Sequence, residues 1–147
     1  MLENLATAVL LASCAAAQSA QITPLGGSCS YSFPPPPTLL VQHLEPPFGV
    51  GQAMITTSIL PGTLSHPTVI LAGVSDPSAI LPSCGCYLHS SADILAFSWN
   101  GATQWLLPPA TSGSFYFQAV VLGSAATSCD EAGFPAFVTD AFRVTIS

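Results

Sequence analysis

The sequence is poor in charge, and above all in positive charge. It contains no lysine and a single arginine, Arg143, and only 5% of its residues are charged, against about 25% in an ordinary soluble domain. Phosphate groups are bound by clustered Lys and Arg side chains, so the composition predicts no nucleic-acid partner. Docking on an anionic membrane surface is excluded for the same reason. The scarcity of charge also favours self-association.

The sequence also lacks the long uninterrupted segments from which helices are built. Its 14 prolines and 11 glycines divide 147 residues, about the length of one domain, into short pieces. Half of the residues are apolar, and most of the polar ones are uncharged. This composition predicts short strands separated by turns.

The first 17 residues are typical of a secretory signal peptide. The apolar run from Leu5 to Ala17 is too short to span a bilayer, and Ala15 and Ala17 fit an A-x-A cleavage site. The sequence "LASC" also resembles a bacterial lipobox, which would place a lipid on Cys14 and is the one route to membrane attachment. An ordinary N-terminal helix packed on the domain is the remaining alternative.

The cysteines favour an exported protein. Removal of Cys14 with the signal peptide leaves four, and in an exported domain four cysteines predict two disulfides. The closely spaced Cys84 and Cys86 do not pair comfortably with each other. Two pairings remain open: Cys29–Cys86 with Cys84–Cys129, or Cys29–Cys84 with Cys86–Cys129. We expect the cysteines to be structural rather than metal ligands or a redox pair.

Alternating apolar and polar residues predict an antiparallel, immunoglobulin-like β-sandwich of seven to eight strands. "SGSFYFQAVVLG" and "AFRVTIS" alternate most clearly, and "PTVILAGVS" has a continuous apolar centre typical of a strand buried on both faces. Asn100-Gly101 is a strong two-residue hairpin signal between two of these segments. The predicted strands are 38–44, 50–60, 67–75, 86–91, 94–101, 102–108, 112–123 and 141–147.

The segments between these strands are predicted to be loops. Residues 18–37 would form a loop around Cys29 and a stiff polyproline entry, "FPPPP", before the sandwich domain at residues 38–147. Residues 76–85 would form another loop. Residues 123–140 would form a long connection that Cys129 tethers.

Three motifs in this order resemble a poorly characterised group of small secreted bacterial β-sandwich proteins. They are Gly85-Cys86 opening a strand, the "F-Y-x-Q" of Phe115, Tyr116 and Gln118, and the terminal "R-V-T-I" of Arg143 to Ile146. The resemblance covers Gly49 to Ser147. It implies export and a Pro/Gly-rich sandwich domain but no activity, and it does not extend to a second disulfide through Cys84 and Cys129.

No constellation of residues predicts catalysis, a cofactor or a metal site. The histidines His43, His66 and His89 lie in separate segments without ligand spacing, and we expect them at exposed strand or turn positions. No G-x-S-x-G motif is present, and a Ser/His/Asp set built from His89 and Asp93 is a weak alternative. The carboxylates Asp76, Asp93, Asp130, Glu131 and Asp140 fall in turns and loops, without a calcium-binding motif.

Four aromatic residues are candidates for stacking on a sugar ligand: Tyr87, Trp99, Trp105 and Tyr116. Core packing competes with this interpretation, because all four occupy strand-periodic positions. We therefore expect a non-catalytic secreted or cell-surface module with a structural, adhesive or self-assembling role. A module that binds carbohydrate or another extracellular ligand is the alternative, and a small secreted hydrolase is the weakest interpretation.

Overall fold

The computed structural model describes residues 19–29, 38–44, 53–60, 67–81, 85–99, 102–108, 111–122, 130–131 and 134–147. All regular secondary structure in these ranges is β-strand, and every strand pairing is antiparallel. The predicted all-β fold is confirmed. The strands are β1 Ala20–Gly26, β2 Thr38–Leu44, β3 Ala53–Leu60, β4 Thr68–Gly73, β5 Ala79–Leu81, β6 Cys86–Leu88, β7 Ile94–Ser98, β8 Thr103–Leu107, β9 Gly113–Leu122, β10 Asp130–Glu131, β11 Phe134–Val138 and β12 Ala141–Ile146.

The larger sheet is built around β9, its longest strand. Along one edge of β9, the first half pairs with β12 and the last residues pair with β11. The other edge of β9 pairs with β4. β1 lies outside β12, β10 outside β11, and β7 outside β4. These seven strands form the sheet that we call sheet I. The three strands β2, β3 and β8 form a second sheet, sheet II.

The two sheets pack face to face and enclose the main core. Alternate residues of β2 and β3 meet alternate residues of β4, β9 and β12, as expected for a sandwich. Residues buried in this core are Leu39, Val41, Ala53, Ile55, Ile59, Ile70, Ala72, Phe117, Ala119, Val144 and Ile146.

β4 is buried on both of its faces, as its continuous apolar centre predicted. All six of its residues are buried. Ile70 and Ala72 point into the main core, whereas Val69 and Leu71 point to the outer face of sheet I. The segment after β6 covers part of that face, because a Cβ atom added to Gly73 would lie 2.7 Å from the backbone nitrogen of Ser91.

Four of the twelve strands, β1, β5, β10 and β11, lie where loops were predicted. β1 shows why. Its local sequence contains Pro24 and little alternation, but its backbone pairs with β12 from Ala20 opposite Ile146 to Pro24 opposite Phe142. Proline is tolerated there because β1 is an edge strand. Ser19 and Ser147 extend the pairing, with N···O distances of 3.2 and 3.1 Å.

The predicted hairpin at Asn100-Gly101 is wrong. The strands that flank it belong to different sheets, because β7 pairs with β4 whereas β8 pairs with β3. The chain therefore crosses from sheet I to sheet II between them.

Several sequence predictions fall outside the described residues. They are the signal peptide and Cys14, the polyproline segment, and the residues His66, Cys84 and Cys129. Within the described ranges there is no helix with the length and hydrophobicity needed to span a membrane.

Candidate functional site

A disulfide joins Cys29, which follows β1, to Cys86, the first residue of β6. Their Cα atoms are 4.5 Å apart, and both side chains are buried beside Val138. This is the Cys29–Cys86 link of the first predicted pairing, so the alternative link of Cys29 to Cys84 is not formed. The second disulfide, Cys84–Cys129, stays a prediction. A structural disulfide indicates an oxidising environment.

Gln118 links the chain segment after Cys86 to the outer face of β9 through hydrogen bonds. Its side chain is fully buried. The amide Nε2 donates hydrogen bonds to the backbone carbonyls of Tyr87 and Thr139, at 2.8 and 2.9 Å. The amide Oε1 accepts a hydrogen bond from the backbone N–H of His89 at 2.8 Å. All these partners are main-chain groups, so Gln118 has a structural role.

His89 pairs with Asp76, not with Asp93. The ring atom Nδ1 lies 3.0 and 3.1 Å from the two carboxylate oxygens of Asp76. Burial alone would raise the pKa of Asp76, but hydrogen bonds from the Ser78 backbone, the His89 ring and the Ser78 hydroxyl outweigh it and lower that pKa. This geometry gives the Ser/His/Asp alternative no support, because the histidine and Asp93 belong to separate pairs.

Asp93 is bound by Ser91 and by the backbone at the end of β4. The Ser91 hydroxyl donates to its Oδ2 at 2.6 Å, and the Val74 N–H donates to the same oxygen at 2.9 Å. These bonds lower the pKa of Asp93. Asp93 is therefore an anion at neutral pH, at the start of β7.

The remaining candidate ligands do not converge in the described part of the chain. No group of three or more His, Cys, Asp and Glu residues there could hold a metal ion. His43 is half-buried on β2 rather than exposed, and its Nε2 is buried without a hydrogen-bond partner. Asp140 accepts a hydrogen bond from the backbone N–H of Ser28 at 3.0 Å.

The four candidate stacking aromatics have different surroundings. Trp105 is half-buried: its indole N–H donates to the Thr57 hydroxyl at 3.2 Å, and its ring meets that of Phe117 edge-on. Tyr116 is also half-buried. Tyr87 is 42% exposed and stacks on His89, and Trp99, directly after β7, is 72% exposed. Two of the four are therefore available to a ligand.

Phe97 was missed as a candidate, although the sequence places it between Leu95 and Trp99 on one face of β7. The three side chains are 51%, 73% and 72% exposed in chain order, and we call them the β7 stripe. Among the described residues β7 pairs only with β4, so it is an edge strand. Phe97, Ser98 and Trp99 line a surface hollow of about 160 Å³ with Pro67. Alternation identified the face, but its exposure depends on the position of β7 in the sheet.

No protein-family model matches the chain, and comparisons with curated proteins and with solved structures give no match. The resemblance to the secreted bacterial group therefore stays a prediction.

Proposed function

We propose that the protein is a non-catalytic extracellular module with a structural or adhesive role, which associates through the β7 stripe. The observation that carries this proposal is the exposure of Leu95 and Phe97 on β7, an edge strand among the described residues, and of Trp99 directly after it. Soluble proteins usually protect such edges with charged residues, prolines or bulges, because a free edge can pair with another chain. β7 has no charged residue and no proline between Ile94 and Ser98.

The remaining support comes from the compartment and the composition. The Cys29–Cys86 disulfide is compatible with export, as is the signal-like sequence of residues 1–17. The resemblance to small secreted bacterial proteins belongs to the same proposal. Only 5% of the residues are charged, and none of them lies on the β7 stripe.

Analytical ultracentrifugation over a concentration series tests this function. The wild-type protein is expected to self-associate, and Phe97→Lys is expected to weaken the association constant by about tenfold or more, because a charge then faces the apolar contact. Ile80→Lys is the matched control, since Ile80 is a similarly exposed apolar residue on β5. A wild-type protein that stays monomeric at every concentration contradicts the proposal, as does an equal effect of both variants.

Carbohydrate binding at the same surface is the second candidate function. Trp99 and Phe97 border the hollow beside Pro67, and exposed aromatic rings can stack on the apolar faces of sugars. A glycan array separates the two functions. Binding to one polysaccharide class that Trp99→Ala abolishes and Tyr87→Ala preserves would support the ligand-binding module. An array without signal across polysaccharide classes would remove it.

A further inference from the structure

The two sheets leave a gap on the side where β7 and β8 form their edges. Ile94 of β7 lies across this gap from Trp105 and Leu107 of β8, and the space between them is a cavity of about 110 Å³. We call it the inter-sheet hollow. Its deeper wall consists of Ala72 and Phe117, both part of the main core.

The lining of the inter-sheet hollow is almost wholly apolar. Among the described residues of its wall, the one side-chain donor is the indole N–H of Trp105, which is already bound to the Thr57 hydroxyl at 3.2 Å. The edge-on contact with Phe117, at 5.6 Å between ring centroids, also fixes the Trp105 ring. A ligand there would meet aliphatic groups and aromatic rings and would need no polar group of its own. An apolar cavity of similar size in another protein accepts small hydrocarbons.

The charge beside the hollow restricts the ligand further. Asp93 is one of the described residues that line the hollow, and none of these is a lysine, arginine or histidine. An anionic ligand such as a fatty acid would place its negative charge near Asp93 without a compensating cation. The whole protein, with a net charge of −6, disfavours an anion in the same way.

We propose that the inter-sheet hollow is a binding site for a small, uncharged apolar molecule about the size of a single aromatic ring. An engineered cavity of about 150 Å³ in another protein holds benzene. The hollow is somewhat smaller, and its opening beside the exposed Ile94 accommodates the rest of the ring. This site is separate from the β7 stripe, because Ile94 and the stripe residues point to opposite faces of β7.

NMR titration of the ¹⁵N-labelled protein with benzyl alcohol tests the site. Saturable shifts are expected for the backbone amides of Val74, Ile94 and Leu107 and for the indole N–H of Trp105. Benzoate has the same ring but carries a negative charge. Its affinity is expected to be lower than that of benzyl alcohol by a factor of at least about ten. Shifts that do not saturate, that centre on Phe97 and Trp99, or that are equal for the two probes would overturn the proposal.

Neighbouring leucines on β8 provide the matched variants. Leu107 lines the hollow, whereas Leu106 points to solvent. Leu107→Phe fills the space and should weaken benzyl alcohol binding by about tenfold or more, while Leu106→Phe should leave it unchanged. If Leu107→Phe does not fold, Ile94→Glu at the exposed rim should give the same loss, with Ile80→Glu as its control. Equal affinity in a hollow variant and its control refutes the site.

Discussion

The side-chain oxygen of Gln118 accepts a hydrogen bond from the backbone N–H of His89, and the two heavy atoms are 2.8 Å apart. Together with the bonds from its Nε2 to Tyr87 and Thr139, this contact satisfies three main-chain groups with one buried amide. Tyr87 belongs to β6, which pairs with β5. Gln118 ties this two-stranded unit to β9 of sheet I, and the same segment carries Cys86, which is bonded to Cys29.

Replacement of Gln118 by leucine is expected to lower the free energy of unfolding by about 3 kcal/mol or more. Each buried polar group left without a partner costs about 1–3 kcal/mol, and three would lose theirs. Gln104→Leu on β8 is the control, since Gln104 is exposed, and it should change stability by about 0.5 kcal/mol or less. Urea unfolding of both variants measures the difference; similar losses would show that the three bonds are not important.

Gly27 is expected to be less tolerant of substitution than its neighbour Gly26. Both have positive φ, at +95° and +73°, so alanine costs about 1–2 kcal/mol at either position. At Gly27 a Cβ atom would also lie 2.6 Å from Cδ2 of His89, whereas nothing lies within 4 Å at Gly26. Thermal or urea unfolding should therefore show Gly27→Ala to be less stable than Gly26→Ala, by about 2 kcal/mol. Equal stabilities of the two alanine variants would contradict the close contact between Gly27 and the His89 ring.

The Cys29–Cys86 link spans 57 residues, and its loss is expected to cost about 4 kcal/mol because the unfolded chain regains entropy. The Cys29→Ser/Cys86→Ser double variant tests this by urea unfolding. Peptide mapping without reduction should recover Cys29 joined to Cys86, and Cys84→Ser should leave that peptide pair intact. A peptide joining Cys29 to Cys84 would contradict the structure.

Asp76 should make stability depend on pH in the acid range. Its pKa in the folded protein lies below the ordinary 3.8, so the unfolded chain binds a proton at a higher pH than the folded chain does. The contribution is complete above the unfolded pKa and is lost as the pH falls through the folded pKa. Asp76→Asn should flatten the stability curve in this range.

Ser78→Ala is expected to have a smaller effect than Asp76→Asn. It removes the 3.0 Å hydrogen bond from the Ser78 hydroxyl to Asp76 but leaves the carboxylate in place. Its stability curve should fall between those of the wild type and Asp76→Asn. Urea unfolding between about pH 2 and 7 measures all three. Parallel curves for wild type and Asp76→Asn would show that the Asp76 bonds do not survive in solution.

The local alternation of apolar and polar residues was sufficient to predict the strands that have one face in the core. β2 has the predicted bounds, and Val144 and Ile146 of β12 are buried as their period of two requires. The strands that were missed depend on distant partners: β1 becomes a strand because β12, more than 100 positions later, offers it an edge. The turn signal of Asn100-Gly101 was strong, but the pairing of β7 with β4 overrode it.

The candidate sites were less predictable than the strands, for the same physical reason. Alternation places Gln118 on the face of β9 opposite to Phe117 and Ala119, but its burial depends on the segment that packs over it. His89 and Asp76 are 13 positions apart, and no spacing rule relates them. The exposure of Phe97 and Trp99 depends on what packs over their face in the folded protein, and local alternation does not encode this.

The pairing of Ser19 with Ser147 determines how the fold would respond to a pulling force. β1 and β12 are antiparallel, and these two serines lie together at one end of the pair. Force applied between them would separate the strands like a zipper, so the backbone bonds would break one after another instead of sharing the load. A molecule held at these two points would therefore yield at low tension, with β1 the first strand to detach.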